Sequence, residues 1–489
     1  MWIKGNDMFL VEDNKMSKTL DKLAHSYLFL TLIAALFLSS WFLKNQIYTV
    51  SITATAVFLI LILSNDGMMF GTVLLFGMFS IPYFMLFDTI PWDLYAQVGI
   101  LVGGLFFFLI KKIIRKEARF SLGAIGLSMI LLTLALFAAQ IKRHLAPAIP
   151  VVAEFKDMYI FYGYFACGIF GLITLIYLMF RMTSTSSNTE LIHRTFYLVN
   201  LIIVIELLYI MISTNEGANF NFNLTGWGSK NVCAIALEVC LPFLAVVYAK
   251  NRFRIDAIAL IALNLYFIVI SDSRGGTISI FLLLPLLLYI MVGHEKNRKF
   301  IYPIVLTSSL VAMFICYLFI PSIKISIDRL VEMGNQLSGR EEIWEAGLNY
   351  FRNDIMFGGG VTSLFELSDV FGFPNVEGQA EIWFLHNTVI TILCASGLVG
   401  IIAFTYHIIE LFIANYKAKT YLRSALLYFI LIGLIHGIID NTFFNVIYLL
   451  PYIWIFGFKD FDSIKYSNIK YIFTRKEKAY MVGLNSKIR

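Results

Sequence analysis

The sequence predicts an all-α, polytopic membrane protein with about fourteen transmembrane helices (12–14) and one large extracytoplasmic loop holding an amphipathic helix. Three observations carry this expectation. Of 489 residues, 59% are hydrophobic and 14% charged, whereas soluble domains run at about 45–50% and about 25%. The mean hydropathy is +0.78. Apolar runs approaching or reaching the roughly 17–25 residues that cross a bilayer core recur along most of the chain. This composition excludes an ordinary water-soluble enzyme, a disordered chain and a nucleic-acid-binding module. The 16% aromatic content suits aromatic belts at two membrane faces, and the net charge of +6 suits Lys and Arg gathered on cytoplasmic loops.

Taken in order, the spans are read at 26–43, 48–64, 68–88, 95–110, 121–140, 158–180, 195–213, 231–249, 255–271, 277–292, 300–320, 384–408, 422–439 and 443–458. The first run lacks a small-residue cleavage site and further spans follow it, so it is read as a span and not a signal peptide. Basic residues set the orientation. With the N-terminal tail 1–25 inside, 28 of the 38 Lys and Arg fall on the cytoplasmic side. The clusters Lys111 to Arg119, Lys250 to Arg254, Lys296 to Lys299 and Lys417 to Arg423 all land there. The expected organisation is therefore a cytoplasmic tail (1–25), helices one to eleven (26–320), a large extracytoplasmic loop (321–383), helices twelve to fourteen (384–458) and a basic cytoplasmic tail (459–489). That last tail is expected to lie on anionic headgroups of the membrane lipids.

Other signals are weak. Cys167, Cys233, Cys240, Cys316 and Cys394 all fall in apolar stretches without paired spacing, so they read as small buried hydrophobes. The short cytoplasmic loops leave no room for a nucleotide-binding domain, and no GxxxxGK[ST] stretch supports an ATP-driven pump. No internal repeat is visible, and the polar residues gather on one face, both of which argue against a transporter such as a lipid-linked oligosaccharide flippase.

Three clusters fall on the outer face. Ser271-Asp272-Ser273-Arg274-Gly275-Gly276 joins the ninth and tenth runs. Its glycines allow close backbone approach, and Arg274 at headgroup depth is either a snorkelling side chain in a tight turn or an anion clamp. In the long loop, Ser338 and Glu341 have capping-box spacing. Ile343, Trp344, Gly347, Leu348 and Phe351 then mark the apolar face of a helix over about 339–352. Trp344 is expected to pack on the membrane domain. Arg340 falls in the first turn, where a cation is locally unfavourable, so a partner is expected: Glu341, Glu342 or another carboxylate on one reading, a phosphate on the other. The glycines of Phe357-Gly358-Gly359-Gly360 mark a turn or a close approach. The third cluster, Leu385-His386-Asn387-Thr388, opens the twelfth span and makes His386 the best-placed histidine for proton transfer. Glu206 and Glu238 lie within spans and are read either as functional acids or as protonated structural ones. His436 and Asp440, four apart, share a helix face as an orienting pair or a helix-end pair.

Together these residues carry a resemblance. The Ser273-Arg274-Gly275 turn, the outer segment with Gly339-Arg340, Trp344 and a glycine-rich stretch, and His386-Asn387 at the next span resemble the O-antigen polymerase and ligase superfamily, over roughly 255–405. The resemblance implies a GT-C-like membrane glycosyltransferase of the cytoplasmic membrane. Its donor would be an undecaprenyl-diphosphate-linked oligosaccharide, used on the outer side without metal or other cofactor. It makes Arg274 and Arg340 the diphosphate ligands and His386 the residue acting on the acceptor. Ser273, Gly275, Trp344, Gly359, Asn387 and Glu238 become candidate substrate-binding residues. It implies polymerisation of repeat units or ligation of a finished glycan, in O-antigen, capsule or exopolysaccharide biosynthesis. A chain-length regulator and a flippase are the expected protein partners.

The residue types suit that chemistry. Transfer outside the cell needs a donor delivered by the membrane, and its diphosphate leaving group gains charge as the glycosyl bond breaks. The outer side offers two arginines, permanently charged forks for phosphate. The one DxD, Asp460-Phe461-Asp462, falls on the cytoplasmic side. His386 suits general-base work, with Glu206 or Glu238 as substitutes if they reach the same cavity.

Overall fold

A computed structural model describes residues 17–43, 45–80, 92–118, 120–145, 156–184, 189–214, 230–250, 254–293, 295, 297–332, 340–370, 385–418 and 422–458. Among the described residues the regular structure is entirely helical. The first half runs α1 (Ser17–Ala24), α2 (Tyr27–Leu43), α3 (Gln46–Leu63), α4 (Met68–Phe79), α5 (Trp92–Ile114), α6 (Gly126–Leu145), α7 (Lys156–Thr183) and α8 (Thr189–Thr214). The second half runs α9 (Lys230–Lys250), α10 (Ile255–Ile270), α11 (Arg274–Val292), α12 (Arg298–Phe319), α13 (Pro321–Glu332), α14 (Arg340–Asn353), α15 (Thr362–Val370), α16 (Thr388–Lys417), α17 (Arg423–Ile439), a 3-10 turn (Thr442–Phe444) and α18 (Val446–Gly457).

Each of the fourteen apolar runs overlaps one of these helices. Among the described residues eight helices are long and apolar enough to cross a membrane, or nine if α1 and α2, bent by 48° to one another, count as one crossing. Five more apolar helices are shorter, with 10–17 residues. Side-chain caps define several starts. Asn45 accepts from Tyr48 N–H, Ser273 from Gly276 N–H, Asn387 from Val389 and Ile390 N–H, and Asn445 from Ile447 N–H. Each such cap satisfies backbone donors that the first turn leaves free.

Helix α9 is the axis of the fold. Every residue from Cys233 to Val247 is buried, and α8, α10, α11 and α17 pack around it. A helix apolar on all sides belongs inside a bundle and not at its rim. Helix α12 is the opposite case, with no buried residue over 22 positions, as expected of a helix whose apolar surface meets lipid. The four described cysteines within the core, Cys167, Cys233, Cys240 and Cys394, are buried thiols, and Cys316 is half-buried.

The described part of the long segment after α12 consists of three helices, α13, α14 and α15, with a turn over 354–361 between the last two. Helix α13, which periodicity had not marked, follows at Pro321. The expected amphipathic helix appears as α14, one residue offset from the reading at 339–352. Ser338, whose side chain the capping-box expectation needs, and Gly339 lie outside the described residues, as do the two terminal tails beyond 17–458. The turn after α14 docks into a break in α16. Gly397 there has φ 58°, and the broken helix recovers backbone bonds from the turn: Leu398 N–H to Ile355 O (2.9 Å), Val399 N–H to Met356 O (3.1 Å) and, in return, Gly359 N–H to Cys394 O (2.7 Å). A β-carbon at Gly358 (φ 62°) would sit 2.4 Å from Cys394 O. The glycine-rich stretch therefore marks a close backbone approach.

Candidate functional site

The chain segment 385–388 is held from both sides. Leu385 is fully buried, its carbonyl accepts the Trp344 indole N–H at 2.7 Å, and its side chain packs where Gly347 of α14 lacks a β-carbon. Trp344 thus joins the amphipathic helix to the mouth of α16, as its apolar face suggested. On the other side Asn387 caps α16 and donates from Nδ2 to Ile438 O at 3.0 Å. Thr388 Oγ1 donates to Asp440 O at 3.3 Å. Between these anchors His386 adopts φ 48°, a left-handed conformation uncommon for a side chain of its size. Such outliers persist where the surroundings over-determine the backbone.

The constraint delivers the imidazole to Asp440. His386 Nδ1 lies 3.2 Å from Asp440 Oδ1. An ionised carboxylate only accepts, so Nδ1 carries the proton and donates. Nε2 is then the basic nitrogen. Asp440 is the C-cap of α17, with extended backbone (φ −145°), and its own N–H donates to His436 O. Burial pushes the Asp440 carboxyl up, but the His386 hydrogen bond, the His436 and His386 charges and the Asn441 N–H outweigh it, and the net position is below the ordinary value.

Arg340 opens α14 and reaches the same turn. Its Nη1 donates to Ile439 O at 2.7 Å, placing a cation on the free carbonyls at the C-terminal end of α17, where the helix dipole favours it. Among the described residues its hydrogen-bond partner is this backbone carbonyl, and the carboxylate that acts on its charge is Asp440. Burial lowers the Arg340 pKa, the Asp440 charge opposes this, and the Arg274 charge reinforces it. The two guanidinium groups therefore lie within each other's electrostatic reach at one end of the bundle.

Arg274 is the first residue of α11, immediately after the Ser273 cap. Asp272 before it has φ 54°, and Ser271 Oγ accepts from Ser273 N–H at 3.3 Å. Behind the turn, Gly275 faces the His436 ring. His436 Nδ1 lies 2.7 Å from Glu238 Oε2, with side chains 0% and 1% exposed. So the sequence pairing of His436 with Asp440 resolves into two pairs: His436 with Glu238, and Asp440 with His386.

Arg274, Arg340, His386, Asn387, Gly275, Ser273, Trp344 and Glu238 thus belong to one connected region. Gly359 stands apart in kind, because its N–H is spent on Cys394 O in the docked turn. Glu206 is buried in α8 near Cys233. Two groups were missed in the sequence. Asp440 was noted only for its helix spacing. The ion pair of half-buried Arg143 with buried Glu366, beside the Gln140–Thr362 hydrogen bond (2.7 Å), ties α6 to α15. Arg143, in the last turn of α6, had only its place beside an outer loop as a signal.

No curated protein matches the chain. Residues 257–405, the stretch that holds Arg274, Arg340 and His386, match the family model described as O-antigen ligase, so this multi-pass membrane protein carries a domain of that family, which supports glycan polymerase-or-ligase chemistry as its kind of function.

Proposed function

We propose that the protein is a polysaccharide polymerase that joins undecaprenyl-diphosphate-linked repeat units on the outer face of the cytoplasmic membrane, using no metal. The observation that carries this reading is the turn at Ile439–Asp440. It accepts Arg340 on one carbonyl and His386 on one carboxylate, with Arg274 close enough to perturb Arg340. Permanent positive charge and an oriented base at one membrane face are what transfer from a lipid diphosphate demands.

In this reading the donor diphosphate lies between Arg274 and Arg340. The acceptor hydroxyl lies near His386 Nε2, which takes its proton as the oxygen bonds to the donor's anomeric carbon. The bond from that carbon to the diphosphate oxygen breaks, its electron pair leaves on that oxygen, and the two guanidinium forks neutralise the charge the diphosphate gains. Asp440 holds the His386 tautomer and stabilises the imidazolium that forms. Both termini would face the cytoplasm, and a flippase and a chain-length regulator would act before and alongside the enzyme.

The test is Arg274→Ala and Arg340→Ala at normal expression. Glycan chains should collapse to single repeats, because loss of one such charge clamp lowers rate by roughly 10²–10³. Unchanged chain lengths in both variants overturn the reading. The family description favours a second reading, a ligase moving a finished glycan to another acceptor. A ligase null leaves long chains on the lipid carrier, whereas a polymerase null leaves one repeat on the acceptor.

A further inference from the structure

The Glu238–His436 pair takes no part in the mechanism above, yet it sits where the parts of that mechanism meet. Glu238 comes from the central helix α9, His436 from α17, and both press on the start of α11. The ring is completely buried. Nδ1 is engaged by Glu238 at 2.7 Å, and Nε2 has no hydrogen-bond partner among the described residues. The ring edge bearing Nε2 lies against Gly275: a β-carbon there would come within 2.5 Å of Nε2 and 2.4 Å of Cδ2. Gly275 is the residue after Arg274.

The same histidine reaches the other arm of the site through its backbone. Its carbonyl accepts Asp440 N–H at 2.8 Å, which fixes the turn whose carboxylate holds His386. Ser279, one turn further along α11, lies beside the Glu238 carboxylate. One residue therefore touches the helix start that carries the cation and the helix end that carries the base's partner.

Energetics favour an orienting role. Apolar residues of similar volume often stabilise a buried position as well as an ion pair does or better. What the Glu238–His436 hydrogen bond adds is direction, because the ring meets the carboxylate through its single Nδ1.

We propose that His436, held by Glu238, is a positioning residue that sets the first turn of α11, and with it Arg274, in register with the Asp440–His386 pair. This rests on the function proposed above. The distance between leaving-group clamp and base would depend on the ring's place against Gly275, so disturbing the pair should slow turnover more than it weakens donor binding.

The test uses the full-length protein in nanodiscs with two readouts, affinity for undecaprenyl diphosphate and turnover of a lipid-linked repeat unit. Glu238→Gln and His436→Gln should lower kcat by roughly three- to thirtyfold while undecaprenyl diphosphate affinity stays within about twofold and the melting temperature of the Gln variants remains close to the parent's. Gly275→Ala should lower kcat by pushing the ring aside, and the Gly275→Ala/His436→Ala double variant should be no slower than His436→Ala alone, because the two changes act through one contact. The proposal is overturned if both Gln variants keep parental kcat while Arg274→Ala is inactive, or if the double variant's losses add. It is also overturned, as a purely structural effect, if kcat, affinity and melting temperature all fall together. Failure of the functional reading looks different: Arg274→Ala then leaves undecaprenyl diphosphate affinity unchanged and the parent forms no glycosidic bond.

Discussion

Arg340 donates from Nη1 to the carbonyl of Ile439 at 2.7 Å, so the first residue of α14 closes the last turn of α17. The contact joins the amphipathic helix α14 to the residue just before Asp440. A guanidinium can hold this carbonyl with one nitrogen and offer the rest of its fork to a phosphate, which an ammonium cannot do with the same geometry.

Arg340→Lys should therefore separate the two roles. Charge is kept, so donor affinity should fall less than in Arg340→Ala. The fork is lost, so turnover should still drop by roughly tenfold, short of the 10²–10³ ascribed to removing a whole charge clamp. Steady-state kinetics on lipid-linked repeats measure this, and a lysine variant with parental kcat would show that the fork geometry has no role.

Asp440→Asn tests the base. The amide is isosteric but can present its NH₂ to His386, so the tautomer with the proton on Nδ1 is no longer enforced. Turnover should fall by roughly 10²–10⁴, the range for general-base catalysis, with donor affinity nearly unchanged. Single-turnover transfer at saturating donor reads the chemical step directly.

The same carboxylate predicts a pH dependence of stability. Its native pKa lies below the ordinary 3.8, so the folded protein binds this proton more weakly than the unfolded chain does. The contribution is complete above the ordinary value and is lost as pH falls through the lower native one. Asp440→Asn should cost about 1.5–3 kcal/mol, typical of a hydrogen bond to a charged group, at neutral pH, and the gap between variant and parent should close in acid. Thermal melts of both proteins across an acid series check the sign. A gap that widens in acid contradicts the assignment.

How far the site was legible follows from the range of each interaction. Local chemistry was readable. The α14 stripe through Trp344 and the place of Asn387 at the start of α16 depend on neighbours within a few positions, whereas the Ser273 cap, which starts α11 three residues before the run read at 277–292, was not read. Partners distant in sequence were not. His436 and Asp440 have the spacing of one helix face, but α17 ends at Ile439, and the extended backbone of Asp440 turns its carboxylate away to His386. That ending depends on the segment after it, not on the pattern before it. Glu238 is 198 positions from His436, and nothing in either local stretch names the other. Helix α13 was missed because a short amphipathic stretch after a span reads as loop when apolar length is the criterion.

The docking of the glycine-rich turn yields the last prediction. Gly358 and Gly397 both adopt positive φ, and each meets the other strand of the contact so closely that a β-carbon at Gly358 would fall 2.4 Å from Cys394 O and one at Gly397 would fall 2.6 Å from Met356 O. Backbone cannot yield as a side-chain tip can, so the turn must lift out of the break in α16. That breaks the bonds Leu398 N–H to Ile355 O and Val399 N–H to Met356 O and leaves two donors without these partners at the break in α16, at about 1–3 kcal/mol each where water does not replace them. Gly397→Ala should therefore lower thermal stability strongly. It should also loosen α14, since the turn follows that helix directly, and so blur the placement of Arg340. Hydrogen exchange should show protection lost at 355–360 and 397–399 together with the amides of α14. Loss confined to α16 would mean that the turn does not anchor the helix that carries Arg340.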